Sequence, residues 1–132
     1  VALSLDSKRL AVLGGEGCGG SSAWCGQIQI YDTKNWKLLK MSKVIGEPET
    51  IAGFVTPEKV LIQNTHEHIQ IWNMKDKEPE WDLNQVMPPH YTFSPQHKLI
   101  AWCRYDESLK IMDATTKRCV IIPIFARKPM TI

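Results

Sequence analysis

Residues 93–113 read FSPQHKLIAWCRYDESLKIMD. Ser94-Pro95 is turn chemistry, because proline pre-sets a turn backbone and has no N–H to give to a sheet. Leu99 to Cys103 is a compact apolar run. Ser108-Leu109-Lys110-Ile111-Met112 then alternates polar and apolar, the period-two pattern of a strand with one buried face. Strand, turn and strand follow each other too closely for a helix to fit between them.

Outward from this stretch the chain repeats itself. Gln27-Ile28-Gln29-Ile30-Tyr31 and His68-Ile69-Gln70-Ile71-Trp72 carry the same alternation. Ile30, Ile71 and Ile111 are equivalent, spaced by 41 and 40 residues, and Phe54 and Phe93 by 39. Leu5 to Phe54 is longer, 49, and the excess matches a glycine-rich insert in the first unit. A fixed period near forty residues is the mark of a repeat architecture. Apolar runs at Leu10 to Leu13 and Val60 to Ile62 precede the alternating segments, after turns at Asp6-Ser7 and Thr56-Pro57. Polar stretches at Thr33 to Asn35, Met74 to Glu78 and Ala114 to Lys117 follow them. A fourth apolar run comes next in each unit, near Lys37 to Met41, Trp81 to Leu83 and Cys119 to Ile122. That makes about four strands per unit, and no segment sustains a helical period.

These units resemble WD repeats, the blades of a β-propeller. In the third, FSPQHKLIAWCRYDESLKIMD is similar to the family's strand, Ser-Pro turn, strand, Asp turn and strand ending in Trp-Asp. The dipeptide itself stands as Tyr31-Asp32, Trp72-Asn73 and Met112-Asp113. The family's tight-turn aspartate falls at Cys25, His66 and Asp106, so only the third unit has it, and the Gly-His dipeptide between repeats is missing. The resemblance covers residues 1–123. It implies an all-β chain of three four-stranded antiparallel blades of a WD-repeat-like propeller, a partial ring. The expected divisions are 1–42 with the Gly-rich insert, 43–83, 84–123, and a tail or further strand at 124–132.

Three blades cannot close a ring, since known propellers have roughly four to eight. Two apolar faces would stay bare and call for a partner surface. The first residue, Val1, reads as internal, with no initiator methionine. The chain is therefore expected to be part of a longer protein, or to complete its ring with another chain.

Composition narrows the classes. The chain has 132 residues, 16 Lys and Arg against 14 Asp and Glu, and a formal net charge of +2. Without a basic run, nucleic acid is not an expected partner. The longest apolar run, Val120 to Ala126, is broken by Pro123 and falls well short of the roughly twenty residues of a membrane-spanning helix. No leader segment is visible. Four cysteines, Cys18, Cys25, Cys103 and Cys119, are too few for a disulfide scaffold. An intracellular, cytoplasmic location is the expectation.

Three sets of residues bear on chemistry. Gly15, Gly17 and Gly20 fit G-x-G-x-x-G after the run Leu10 to Leu13. Only Ser21 to Gly26 separates the last glycine from the next strand, so the helix that would hold a phosphate is missing. An extended, flexible hairpin loop is the better reading. His66 and His68 form H-x-H, with Cys18, Cys25, His90 and His97 in other loops, but no set has zinc-ligand spacing. No G-x-S-x-G, H-E-x-x-H or Cys with a base occurs. The expectation is no enzyme, no cofactor and no metal.

Of the five tryptophans, Trp72, Trp81 and Trp102 read as packed and Trp36 as half exposed. Trp24 lies among Gly, Ser and Cys. It either anchors its own loop or serves as a partner-binding residue, since aromatics on loops dominate interface energies. The resemblance places partner docking on the loops Gly14 to Gly26, Asn64 to Glu67 and Arg104 to Glu107, with the linkers Lys43 to Thr50 and Asn84 to Pro89. Trp24, His66, Arg104 and Tyr105 are the contact residues expected, the last two because Arg and Tyr are enriched at interfaces. The chain thus reads as a non-catalytic protein-interaction platform binding protein partners or further blades. Two alternatives stand beside it: a structural or sensor segment of a large assembly or nucleotide-binding signalling protein, and, more remotely, a propeller enzyme.

Overall fold

The structure, a computed structural model, describes residues 1–17, 24–45, 48–64, 68–83, 91–103 and 108–123. Among them are twelve strands and no helix. They form three antiparallel four-stranded sheets, each a meander in sequence order. The first holds β1 (Ala2–Leu3), β2 (Arg9–Gly17), β3 (Trp24–Asp32) and β4 (Leu38–Ile45). The second holds β5 (Pro48–Thr56), β6 (Lys59–Asn64), β7 (Ile69–Asn73) and β8 (Glu78–Leu83). The third holds β9 (Tyr91–Ser94), β10 (Leu99–Cys103), β11 (Ser108–Asp113) and β12 (Cys119–Pro123). The chain divides into two compact units, Val1–Gln85 with the first two sheets and Val86–Ile132 with the third.

The turns repeat as faithfully as the strands, and they show what the last residue of each third strand does. Asp32 Oδ1 accepts from Lys34 N–H at 2.8 Å, Asn73 Oδ1 from Lys75 N–H at 3.0 Å, and Asp113 Oδ1 from Thr115 N–H at 2.8 Å. Each side chain replaces a missing ladder bond and starts the turn to the fourth strand. Four residues on, Trp36, Lys77 and Lys117 all take the left-handed conformation, with φ of 57°, 55° and 65°. The residue after each Asp or Asn donates its N–H to the opposite hairpin turn. Thr33 reaches Lys8 O at 3.0 Å, Met74 reaches Glu58 O at 2.8 Å, and Ala114 reaches Lys98 O at 2.8 Å. The three sheets are therefore one design built three times.

The first two sheets pack face to face within their unit. Ala11, Ile28, Ile30 and Val44 of the first bury against Ile51, Phe54, Val60, Ile62, Trp72 and Met74 of the second. Each fully buried aliphatic side chain contributes roughly 1.5–3 kcal/mol, so this interface is a large contributor to the stability of the unit. Trp72 also donates its indole N–H to Ser42 Oγ at 3.1 Å. At the margin, Arg9 Nη1 donates to Pro57 O at 2.9 Å and Lys40 Nζ pairs with Glu58 Oε1 at 2.8 Å.

Two regions differ from the expectation. The stretch expected as a flexible loop from Gly14 continues the sheet. β2 and β3 pair without interruption from Arg9↔Asp32 to Gly17↔Trp24. Glycine has weak strand preference, which hid this extension in the sequence, but ladder pairing with β4 on the other side carries β3 along. Likewise, the expected linker from Lys43 is largely strand, because β4 runs to Ile45 and β5 begins at Pro48. Ser42 had broken the apolar pattern there. It is buried because the Trp72 indole gives it a hydrogen-bond partner.

Candidate interaction surfaces

Register makes the sheet faces comparable. Residues directly opposite one another in a ladder share a face, so each row can be followed across four strands. In the first sheet, Ala11, Ile30 and Lys40 form one row, and Ala11 and Ile30 belong to the buried interface. The equivalent row of the third sheet is Ala101, Ile111 and Val120. There Ile111 is half-buried and Val120 is 59% exposed. Leu109 and Ile122 extend the same face one pair along, and Ile122 is also exposed.

The opposite face follows the same logic. In the second sheet, Val60, Trp72 and Pro79 form a row, of which Val60 and Trp72 fill the interface with the first sheet while Pro79 stays exposed. Its counterpart in the first sheet is Leu3, Leu10, Tyr31 and Leu38. Leu3 and Leu38 are exposed, while Leu10 and Tyr31 are half-buried. Beside them Val12, Gln29 and Met41 line up. Tyr31 Oη donates to Gln29 Oε1 at 2.8 Å, which occupies both polar groups locally and leaves the row apolar.

Of the contact residues expected from sequence, His66, Arg104 and Tyr105 lie outside the described residues. Trp24 begins β3 and pairs with Gly17, at the far end of the long hairpin. The glycine motif fares differently. Gly15 and Gly17 lie in β2, opposite Gly26 and Trp24, so extended strand stands where a phosphate site would need a helix start. Gly20 is outside the described residues.

The histidine pair is half visible. His68 Nδ1 lies 2.8 Å from Asp82 Oδ1, and Gln70 Nε2 donates to Asp82 Oδ2 at 3.0 Å. Among the described residues, no group of three or more His, Cys, Asp or Glu could hold a metal. Cys103 and Cys119 are free and exposed. Three carboxylates are held below their ordinary range. Glu58 is lowered first by the hydrogen bond from Lys40 and then by its charge, Asp113 by the Thr116 and Thr115 backbone N–H groups, and Asp6 by the Ser4 hydroxyl and the Lys8 N–H. Asp6 and Asp113 fasten their own hairpin turns, and Glu58 ties the turn of the second sheet to Lys40 of the first.

The tryptophans divide as follows. Trp72 and Trp102 are buried, Trp81 is half-buried, and Trp36 is 62% exposed. Sequence reasoning missed the exposed faces residue by residue. Leu10, Tyr31 and Leu38 are far apart in the chain, and only the ladder aligns them.

Comparison with solved structures agrees with the repeat. The chain matches the structure described as "Structure of Dos1 propeller" with a TM-score of 0.65 at 12% identity, over 92% of this chain and 31% of that one. It matches "Crystal structure of HIRA(644-1017)" with a TM-score of 0.63 at 9% identity, over 91% of this chain and 38% of that one. No family profile matches, and no curated protein matches by sequence. The fold is that of WD-repeat-like β-propeller blades, and the chain spans about a third of the length of these two propellers. Among the described residues, no helix is long and apolar enough to cross a membrane.

Proposed function

We propose that this chain is a segment of a WD-repeat-like propeller that acts as a non-catalytic protein-interaction platform. One observation carries the reading. The row Leu3, Leu10, Tyr31 and Leu38 occupies the register that its own neighbour fills with Val60 and Trp72 in a buried interface. A surface that the fold elsewhere uses to join sheets is here left open, which supports further blades of the same protein as its cover. Protein partners then dock on the hairpin ends. The loops around Trp24, His66, Arg104 and Tyr105 supply the contacts, with the Trp24 indole as anchor. The likeness to propellers shows the fold and supports this role only by analogy.

The experiment is affinity purification of the full-length protein with and without Trp24→Ala, quantifying every co-purifying protein. The expected result is selective loss of one or more partners, with an unchanged thermal melt. Equal recovery of all of them would overturn the role given to Trp24. A substrate turned over by the purified protein would overturn the non-catalytic reading.

A further inference from the structure

The outer strands of the three sheets do not treat their open edges alike. An edge strand presents unpaired backbone N–H and C=O groups and is usually blunted by charge, proline or a bulge. β4 carries Lys40 and Lys43, and its ladder with β3 is bulged between Ile30 and Tyr31. β8 carries Pro79, Glu78, Glu80 and Asp82, and its ladder with β7 is bulged between Ile71 and Trp72. β12 reads Cys-Val-Ile-Ile-Pro, has no charge, and pairs with β11 in unbroken register. Every residue of it is exposed, with Val120 at 59% and Ile121 at 60%. Among the described residues, no strand pairs with its outer edge.

The ladder tells which backbone groups face outward. Asp113 N–H donates to Arg118 O at 2.9 Å, which makes that facing pair a hydrogen-bonded one. Such pairs alternate along an antiparallel ladder. Ile111↔Val120 and Leu109↔Ile122 are therefore hydrogen-bonded pairs, and Lys110↔Ile121 is not. Cys119 and Ile121 thus direct both N–H and C=O away from β11. Pro123 pairs with Ser108 in the same outward-facing phase, so its missing N–H leaves the β11–β12 ladder intact and ends the row of outward donors at Ile121.

We propose that the free edge of β12 is a strand-addition site for an extended, uncharged, apolar segment of a partner protein. The backbone of Cys119 and Ile121 supplies the hydrogen-bonding edge. Val120, continuing the row of Ala101 and Ile111, and Ile122, continuing that of Cys103 and Leu109, select an apolar residue at every second position of the incoming strand. A second copy of this chain fits less well. A five-residue edge between two rigid bodies falls far below the roughly 20–30 residues a side of a stable interface, whereas an extended segment gains its affinity from the main-chain ladder itself.

The test uses the full-length protein and a fluorescein-labelled peptide of alternating valine and threonine with a terminal lysine pair, followed by anisotropy. Saturable binding is expected, weakened at least tenfold by Ile121→Pro, which removes an outward N–H that β11 does not use. Should that variant lose its thermal transition, Val120→Lys tests the same edge through its side-chain row, with the same loss expected. Methylating alternate peptide nitrogens on the probe should abolish binding to the unaltered protein. No saturable binding, or equal binding by the variant or the methylated probe, would overturn the site. So would a concentration-dependent dimer that Ile121→Pro dissolves, which assigns the edge to a second copy. Binding that emerges only after removal of residues 124–132 would assign it to the chain's own tail. Because the probe is a peptide and not a native partner, the outcome is independent of whether the loops around Trp24 dock anything.

Discussion

At the scale of single residues, Trp72 serves the interface of the first unit through both its ring and its N–H. Its ring fills the face against the first sheet, and its N–H satisfies a hydroxyl that is 3% exposed. Trp72→Phe keeps most of the apolar area but leaves Ser42 Oγ buried without that donor, a loss of about 1–3 kcal/mol. Urea denaturation should show it as a lower midpoint with an unchanged slope. Adding Ser42→Ala to Trp72→Phe should recover part of the loss, because the orphaned hydroxyl is then gone. Glu58 gives a pH signature. Its carboxyl is lowered in the fold, chiefly by the Lys40 hydrogen bond, from an ordinary value of 4.5. A lowered carboxylate stabilises the fold fully above its unfolded value and loses that contribution as pH falls through the folded one. Melting temperature should therefore hold steady above about pH 5 and fall below pH 4.5. Glu58→Gln should flatten the upper part of that fall. Asp113 and Asp6 act in the same direction from 3.8, so the lower part of the decline should remain in that variant.

Among the elements, the long hairpin of β2 and β3 is the one that sequence patterning described least well. Its base alternates cleanly at Ile28 and Ile30, while its outer half is glycine-rich and has no side-chain period to read. Backbone pairing alone extends it to Gly17↔Trp24. Gly14 shows how little the glycines are needed for space there. A Cβ on it would meet nothing within 4 Å, and its φ is not in the left-handed region. Gly14→Thr should therefore stabilise the chain by about 0.5–1 kcal/mol, from lower unfolded-state entropy and better strand preference. A thermal shift upward is the expected readout, and a fall would show that the hairpin needs a bare backbone at this point. The turns, by contrast, were legible early. Ser4, Thr56 and Ser94 begin the first hairpin turns, which Asp6-Ser7, Thr56-Pro57 and Ser94-Pro95 mark in the sequence.

At the level of the whole molecule, the open face of the first sheet has a measurable consequence. Leu38 is 47% exposed and takes part in the row with Leu3, Leu10 and Tyr31. Leu38→Lys places a charge on that face without entering the buried interface of Ile28, Ile30 and Trp72. The isolated 132-residue chain should self-associate through its apolar faces, and this variant should shift the sedimentation profile toward monomer while the chain still melts cooperatively. An unaltered profile would show that the row does not mediate association. The fold reading itself was available from one period. Ile30, Ile71 and Ile111 announced three equal units, and the sheets follow them in order. The expected contacts Trp24, His66, Arg104 and Tyr105 came from loop position and residue type, and His66, Arg104 and Tyr105 fall outside the described residues.

Sequence alone determined what is local and repeated here: alternation that makes a strand, Asp or Asn that starts a turn, and a period that makes three sheets. Those features depend on neighbours along the chain, where side-chain spacing and backbone chemistry act directly. Tertiary structure decided what depends on distant pairing. It buried Ser42 beneath Trp72, carried the ladder through glycine, and set Leu3, Leu10, Tyr31 and Leu38 in one row. It also paired β12 in unbroken register where β4 and β8 are bulged. Register across strands places side chains on a face, and register is a property of the folded sheet that no single strand contains.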